Sequence, residues 1–119
     1  MNTNFNNVIN VIEWAKELNL AITVSDINDN IIYMNDLSIA TFPDIKIGDS
    51  MKNCHSNRSN EIINNLKESN VSNTYTIQKN GIKKLIHQSP WYKNGVVSGL
   101  VEFSIILPDE VPHHNRDAK

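Results

Sequence analysis

The sequence predicts an α+β fold: a five-stranded antiparallel sheet with short helices on one face and a flanking helix at the N-terminus. Three observations lead to this prediction. Two strand-like runs lie in residues 20–35, three more lie in residues 71–107, and the apolar residues between them have helical spacing. Two strand groups joined by a helical crossover can form one sheet, against which the helices bury their apolar sides. A chain of 119 residues has the length of one such domain.

The N-terminal third is predicted to contain a helix and a β-hairpin. Helical spacing of apolar residues predicts a helix over residues 4–19, and its broad apolar surface suits either a partner or burial within the domain itself. Residues 21–26 and 31–35 have the β-branched character of strands. The Asn and Asp residues between them tolerate left-handed backbone angles, as a turn requires.

Three short helices are predicted between the two strand groups. Asp36 or Asn35 can cap the first helix, which ends at Pro43. Residues 43–55 form a compact helical or irregular connection. The apolar face of the last and longest helix consists of Ile62, Ile63 and Leu66.

The last third is predicted to be a three-stranded meander. Asn80-Gly81 is the strongest hairpin signal in the chain, and Asn94-Gly95 gives a second turn of the same chemistry. Pro90 is expected to interrupt the middle strand, and residues 96–107 form the longest one. The predicted organisation is a flanking helix over residues 1–19, a domain over residues 20–107 and a polar tail over residues 108–119.

Composition excludes several classes of partner. The net charge is −2, and the basic residues are scattered, so the chain has no broad cationic surface for nucleic acid. Cys54 is the single cysteine, so no intramolecular disulfide can form. The N-terminus lacks the charged and apolar regions of a secretory signal, and no apolar run is long enough to cross a bilayer. We therefore expect a cytoplasmic protein that does not contact a membrane.

Three motifs, in residues 22–35, 47–51 and 95–103, resemble those of PAS domains. Residues 22–35 resemble the family's opening hairpin, in which a val-x-asp-x-x-gly-x-ile pattern leads into tyr-x-asn, with Asn30 standing where Gly is commoner. Residues 47–51 resemble its later ile-gly-lys-ser-leu step, and residues 95–103 its last strand. The resemblance covers residues 5–107 and depends on the order and spacing of these motifs. It implies a small stand-alone bacterial sensor with a ligand pocket between sheet and helices.

Cys54-His55 is the first candidate site. The resemblance implies that His55 can face the cavity as an axial haem ligand, or as a donor to another ligand. The alternative is a loop histidine that caps the next helix, beside a small buried Cys54. Haem-binding PAS domains usually place the iron-bound histidine deeper in that helix. If a haem is bound without His55, His87 or Tyr75 becomes the candidate ligand, and His55 is expected to hold a metal only as part of a haem.

A flavin is not expected. The residues around Cys54 depart from the motif of flavin-binding LOV domains, since Gly48 lies six residues before the cysteine and Phe-Leu-Gln is missing. Zinc is not expected either, because no Cys or His pair has the spacing of a zinc finger.

Glu102 is the second candidate, because it lies within the apolar last strand. It faces either water or the interior, and an inward carboxylate needs Lys84, His87 or a ligand to offset its buried charge. Gln88 and Trp91 can line the same cavity mouth, or they can form an ordinary hydrophobic corner.

The sequence therefore predicts a sensory or signalling module rather than an enzyme. Such a module binds a small molecule or a partner protein and acts through another chain, and we expect a homodimer through the N-terminal helix. The alternative is a constitutive interaction or dimerisation scaffold without a ligand.

Overall fold

The computed structural model describes residues 13–51, 57–69 and 71–118. Residues 13–16 are helical. The remaining elements are, in chain order, β1 Ala21–Asp26, β2 Ile31–Met34, α1 Asp36–Thr41, α2 Asn57–Ser69, β3 Asn73–Lys79, β4 Ile82–Lys93 and β5 Val96–Ile106.

The five strands form one antiparallel sheet in the order β2-β1-β5-β4-β3. The last strand, β5, lies at the centre and joins the N-terminal hairpin to the C-terminal one. Apolar residues of α2 pack with residues of β2 and β5, and Ser38 of α1 bonds to Thr23 of β1 on the same side of the sheet. The predicted fold class is confirmed, because both strand groups belong to one layer with short helices on one face.

The core lies between this inner face of the sheet and the helices. Alternation along the paired strands places Thr23, Leu100 and Glu102 on the inner face. The buried apolar cluster consists of Ile31, Met34, Met51, Ile63, Leu66 and Leu100.

The Asn-Gly turns are as the sequence predicts. Asn80 and Gly81 have φ values of 53° and 77°, and Asn94 and Gly95 have values of 52° and 81°, as a type I′ hairpin turn requires. In the first hairpin, however, the left-handed residue is Asp29, with φ 67°, rather than Asn30. The Asp26 carboxylate accepts from the backbone N–H groups of Asn28 (2.9 Å) and Asn30 (3.0 Å), and this bonding shapes the turn.

Strand β4 continues through Pro90, so the predicted interruption at this residue is wrong. Pro90 pairs with Leu100 of β5 on one side, whereas β3 on the other side begins only at Asn73, opposite Gln88. Beyond Gln88, β4 is therefore an edge strand, where a residue without an N–H group is tolerated.

The predicted N-terminal helix needs one correction. It ends at residue 16 rather than 19, and the Asn35 side-chain amide donates to the carbonyls of Ala15 (3.0 Å) and Leu20 (2.7 Å), which stabilises the turn that follows. Residues 4–12 of this predicted helix lie outside the described residues. In the predicted connection over residues 43–55, residues 43–50 form turns and an isolated bridge from Asn30 to Ser50, Met51 is in a 3-10 turn, and residues 52–55 lie outside the described residues.

Gly99 occupies a position of β5 that accepts no side chain. A methyl group there would collide with the Ser25 carbonyl oxygen and lie 2.5 Å from the Trp91 indole nitrogen, which donates to that same oxygen at 2.8 Å. We expect Gly99→Ala to destabilise the fold by about 2 kcal/mol, as overpacking does. Urea unfolding measures this loss, with Ser98→Ala on the same strand as the control. Equal midpoints for the two variants would contradict the prediction.

Candidate functional site

A cavity of about 120 Å³ lies between the inner face of the sheet and the segment that follows β2. Thr23 and Glu102 of the central strands form its sheet side. Its other described lining residues are apolar: Ile31, Met34, Phe42, Ile45 and Met51. The described part of the lining is thus apolar apart from two polar groups on one wall, the usual composition of a small-molecule site.

Backbone bonds position the loop side of this cavity. The chain over residues 46–51 runs beside the start of β2: the N–H of Ile31 donates to Asp49 (2.8 Å), and that of Gly48 donates to Ile31 (2.8 Å). The N–H of Met51 donates to the carbonyl of Asp29 at 2.7 Å. The Met51 side chain is buried against the sheet as a result.

The polar wall belongs to a row of hydrogen-bonded side chains that crosses four strands. Thr23, Glu102, Gln88 and Asn73 are successive cross-strand neighbours in this row. The Asn73 amide donates to Gln88 Oε1 at 3.1 Å, and Gln88 Nε2 donates to Glu102 Oε1 at 3.4 Å. At the other end, the hydroxyls of Thr23 and Ser38 share a bond of 2.6 Å.

The structure separates the residues that the sequence proposed for the site. Glu102 faces inward and lines the cavity, Gln88 is buried beside it, and alternation places Tyr75 on the same inner face. His87 and Trp91 belong to the outer face and do not line this cavity. Cys54 and His55 lie outside the described residues.

The two outer-face residues have structural contacts of their own. His87 Nδ1 and the Thr74 hydroxyl share a bond of 2.7 Å, and the His87 ring lies 6.4 Å from that of Phe103, centroid to centroid. The Trp91 indole donates to the backbone of β1. Trp91, Lys84 and His87 are not among the described residues that line the cavity beside Glu102.

Sequence reasoning missed most of the lining. Thr23 had a usable signal, since it is a hydroxyl residue between Ile22 and Val24 in a strand rich in β-branched residues. Phe42, Ile45 and Met51 had none, because residues outside regular helices and strands carry no period that indicates which side chains turn inward.

A haem does not fit the cavity as the structure describes it. Its volume is well below the roughly 300 Å³ at which pockets for drug-sized ligands begin. The lining residues that the structure describes include no histidine. Within residues 13–51, 57–69 and 71–118, no three His, Cys, Asp or Glu side chains are grouped so that they could hold a metal ion.

The pKa of Tyr75 depends on the charge at the site. Burial of its phenol, followed by the negative charge of Glu102, raises the pKa of Tyr75 above its usual value. A raised pKa in the folded state stabilises the fold below the pKa of an unfolded tyrosine, about 10, and this stabilisation is lost as the pH rises through the folded-state pKa.

We therefore expect Glu102→Gln to lower the pKa of Tyr75, because the charge that disfavours the phenolate is removed. With Tyr33 and Tyr92 changed to phenylalanine, the ultraviolet absorbance of the phenolate reports on Tyr75 alone. Glu68→Gln, on the exposed side of α2, is the control. An unchanged titration in the Glu102 variant would contradict the proximity of the two groups.

Comparison with solved structures identifies the architecture. A PAS domain from Colwellia psychrerythraea superposes with a TM-score of 0.60 at 21% identity, over 85% of this chain and 97% of that one. The PAS domain of Bordetella pertussis BvgS has a TM-score of 0.59 at 15% identity, over 89% of this chain and 90% of its own. The chain has a PAS-like fold. No protein-family model and no curated protein sequence matches it.

The PAS-like domain is also similar to part of a larger receptor. The VqmA dimer of Vibrio cholerae, described as a LuxR-type receptor, superposes with a TM-score of 0.67 at 18% identity, over 92% of this chain and 58% of that one. Within the described ranges of the PAS-like domain, no helix combines the length and apolar character that a bilayer-spanning segment needs.

Proposed function

We propose that this PAS-like domain is a cytoplasmic sensory module that binds a small molecule in the cavity between sheet and helices. The observation that carries the proposal is the cavity itself, an apolar space of about 120 Å³ with the Glu102 carboxylate and the Thr23 hydroxyl on one wall. VqmA, which shares the fold, has been solved bound to DPO and as a complex with ligand and DNA.

Output in this proposal passes through another chain. A ligand in the cavity contacts both the sheet and the segment after β2. It can shift the equilibrium between two arrangements of these parts only if it binds one arrangement more tightly than the other. We propose a homodimer through the N-terminal helix as the responding assembly, in line with the dimeric state of VqmA.

Direct contact with nucleic acid is not part of the proposal. This chain aligns with 53% of VqmA in the ligand–DNA complex, and its net charge of −2 disfavours a phosphate backbone. Nor do we propose an enzyme. In the described lining, Glu102 is the one ionisable group, and catalysis by a nucleophile needs a base and an orienting group beside it.

Native mass spectrometry of the purified protein tests the proposal. We expect a small molecule that co-purifies, or a rise in melting temperature with at least one member of a metabolite panel, because a ligand that binds only the folded state stabilises it. Light scattering on the same samples shows whether ligand changes the association of the chain.

A pair of variants assigns any binding to the cavity. Ile45→Trp fills the space that Ile45 lines, and we expect it to abolish ligand retention; Ile47→Trp changes an exposed neighbour and should retain it. Wild-type protein that carries no ligand and ignores the panel would instead favour the constitutive dimerisation scaffold.

A further inference from the structure

We propose that the cavity selects compact ligands in which a small apolar body carries an N–H or O–H donor, and that Glu102 receives this donor. The inference rests on the proposed function and adds the chemical class of the ligand. Among the lining residues that the structure describes, Glu102 is the one with a charged side chain, and an ionised carboxylate accepts hydrogen bonds and cannot donate them.

The neighbours of Glu102 support its acceptor role. The amides of Asn73 and Gln88 are aligned so that each donates to the next oxygen in the row: Asn73 donates to Gln88 Oε1, and Gln88 donates to Glu102 Oε1. Gln88 is 3% exposed, so this alignment is held inside the domain. A carboxylate has about four acceptor positions on its two oxygens, so it can accept from a ligand in addition to the bonds that it makes within the domain, among them the one from Gln88.

Thr23 adds a second acceptor on the same wall. Its hydroxyl lies 2.6 Å from that of Ser38, and a hydroxyl oxygen has two lone pairs in addition to its one proton. Thr23 and Glu102 are direct cross-strand neighbours, so their side chains meet the cavity side by side. A hydrogen-bond donor of the ligand that lies between Thr23 and Glu102 therefore has an acceptor oxygen on each side.

The volume of the cavity limits the size of the apolar part of the ligand. An apolar cavity of about 150 Å³ holds one benzene molecule, and the cavity here is slightly smaller, at about 120 Å³. The described residues opposite, Met34, Phe42, Ile45 and Met51, are apolar, and the flexible thioether side chains of the two methionines can adjust to a ring. One ring with one short polar substituent therefore matches the space.

Charge excludes the opposite class of ligand. A carboxylate or phosphate on the ligand would meet the negative charge of Glu102 at short distance beside apolar lining residues, where like charges repel more strongly than in bulk water. Organic acids of the right size should therefore be rejected.

Three probes of matched shape test the inference: aniline, which carries a donor, toluene, which does not, and benzoate, which is an anion. Ligand-observed and protein-observed NMR titrations measure each dissociation constant with the full chain. We expect aniline to bind about 10-fold more tightly than toluene, the effect of one hydrogen bond to a charged group, and benzoate not to bind measurably.

Glu102→Gln keeps the shape of the side chain and removes its charge. We expect this variant to lose most of the preference for aniline and to begin to accept benzoate, while the control Glu68→Gln keeps the wild-type order. Circular dichroism confirms that both variants remain folded. Retention of the full aniline preference by Glu102→Gln would overturn the assignment to Glu102.

Toluene or benzoate binding to wild-type protein as tightly as aniline overturns the donor class but leaves a ligand-binding cavity. Absence of binding by all three probes overturns the inference. The proposed function is judged separately, by ligand retention in the Ile45→Trp and Ile47→Trp pair, which leaves Glu102 unchanged.

Discussion

Asn35→Ala is expected to lower the free energy of unfolding by about 4 kcal/mol, because the Asn35 side chain makes four hydrogen bonds, three buried and one part-buried, worth roughly 1 kcal/mol each. The fully buried Asn35 side chain accepts from the N–H groups of Ile22 (2.9 Å) and Ser38 (3.1 Å). Its amide donates to the carbonyls of Ala15 and Leu20. One side chain thus caps α1, binds β1 and terminates the helix before it. Urea unfolding followed by circular dichroism measures the loss.

The matched control for this change is Asn64→Ala, which removes an exposed amide from α2 and should alter stability by no more than about 0.5 kcal/mol. Asn35→Asp distinguishes the hydrogen bonds that the Asn35 side chain accepts from those that it donates. It keeps the accepting oxygens but places a carboxylate against the carbonyls of Ala15 and Leu20, so it too should be destabilised. A cost below about 1 kcal/mol for Asn35→Ala would show that the side chain does not join these segments.

Lys67→Met should cost about 3 kcal/mol, the lower end of the effect of breaking a buried ion pair. Lys67 Nζ lies 2.6 Å from the carboxylate of Asp29 and donates to the carbonyl of Ile27 at 3.2 Å. The two charged side chains are 11% and 5% exposed, so solvent screens their attraction poorly. The pair attaches the last turn of α2 to the tight turn between β1 and β2, beside the cavity. Thermal and urea unfolding measure the change.

A double-mutant cycle distinguishes the ion pair from packing of the lysine stem. Asp29→Asn combined with Lys67→Met removes both charges, so the double variant should be more stable than the sum of the single losses predicts. Lys93→Met, which changes an exposed lysine at the end of β4, is the control. Simple additivity of the two single changes would contradict a charge interaction.

The fold could be predicted because its signals are local. Asn80-Gly81 and Asn94-Gly95 require left-handed backbone angles that few residues accept, so they place two hairpins without knowledge of the rest of the chain. The wrong expectation at Pro90 concerned a non-local property. Whether a proline is tolerated depends on where the neighbouring strand ends, and the end of β3 opposite Gln88 cannot be inferred from the residues around Pro90.

The candidate site could be predicted only in part, again because a non-local property decides which residues line it. Strand alternation separates Glu102 from His87, but it does not say which face of the sheet the helices cover. That choice emerges only from the packing of α2 and the loop against Leu100 and Ile31. The candidates therefore included residues of both faces, and only Glu102 among the described ones lines the cavity. The loop side chains opposite it depend on backbone bonds between distant segments.

The central position of β5 has a consequence for biosynthesis. A two-stranded hairpin is marginally stable at best in water, so β1 and β2 gain a lasting partner only when residues 96–106 have left the ribosome. The nascent chain must keep its first hairpin from pairing elsewhere until synthesis of this strand is complete. Because the N-terminal and C-terminal halves join through this one late strand, we expect folding to be slow for the length of the chain and to follow, rather than accompany, translation.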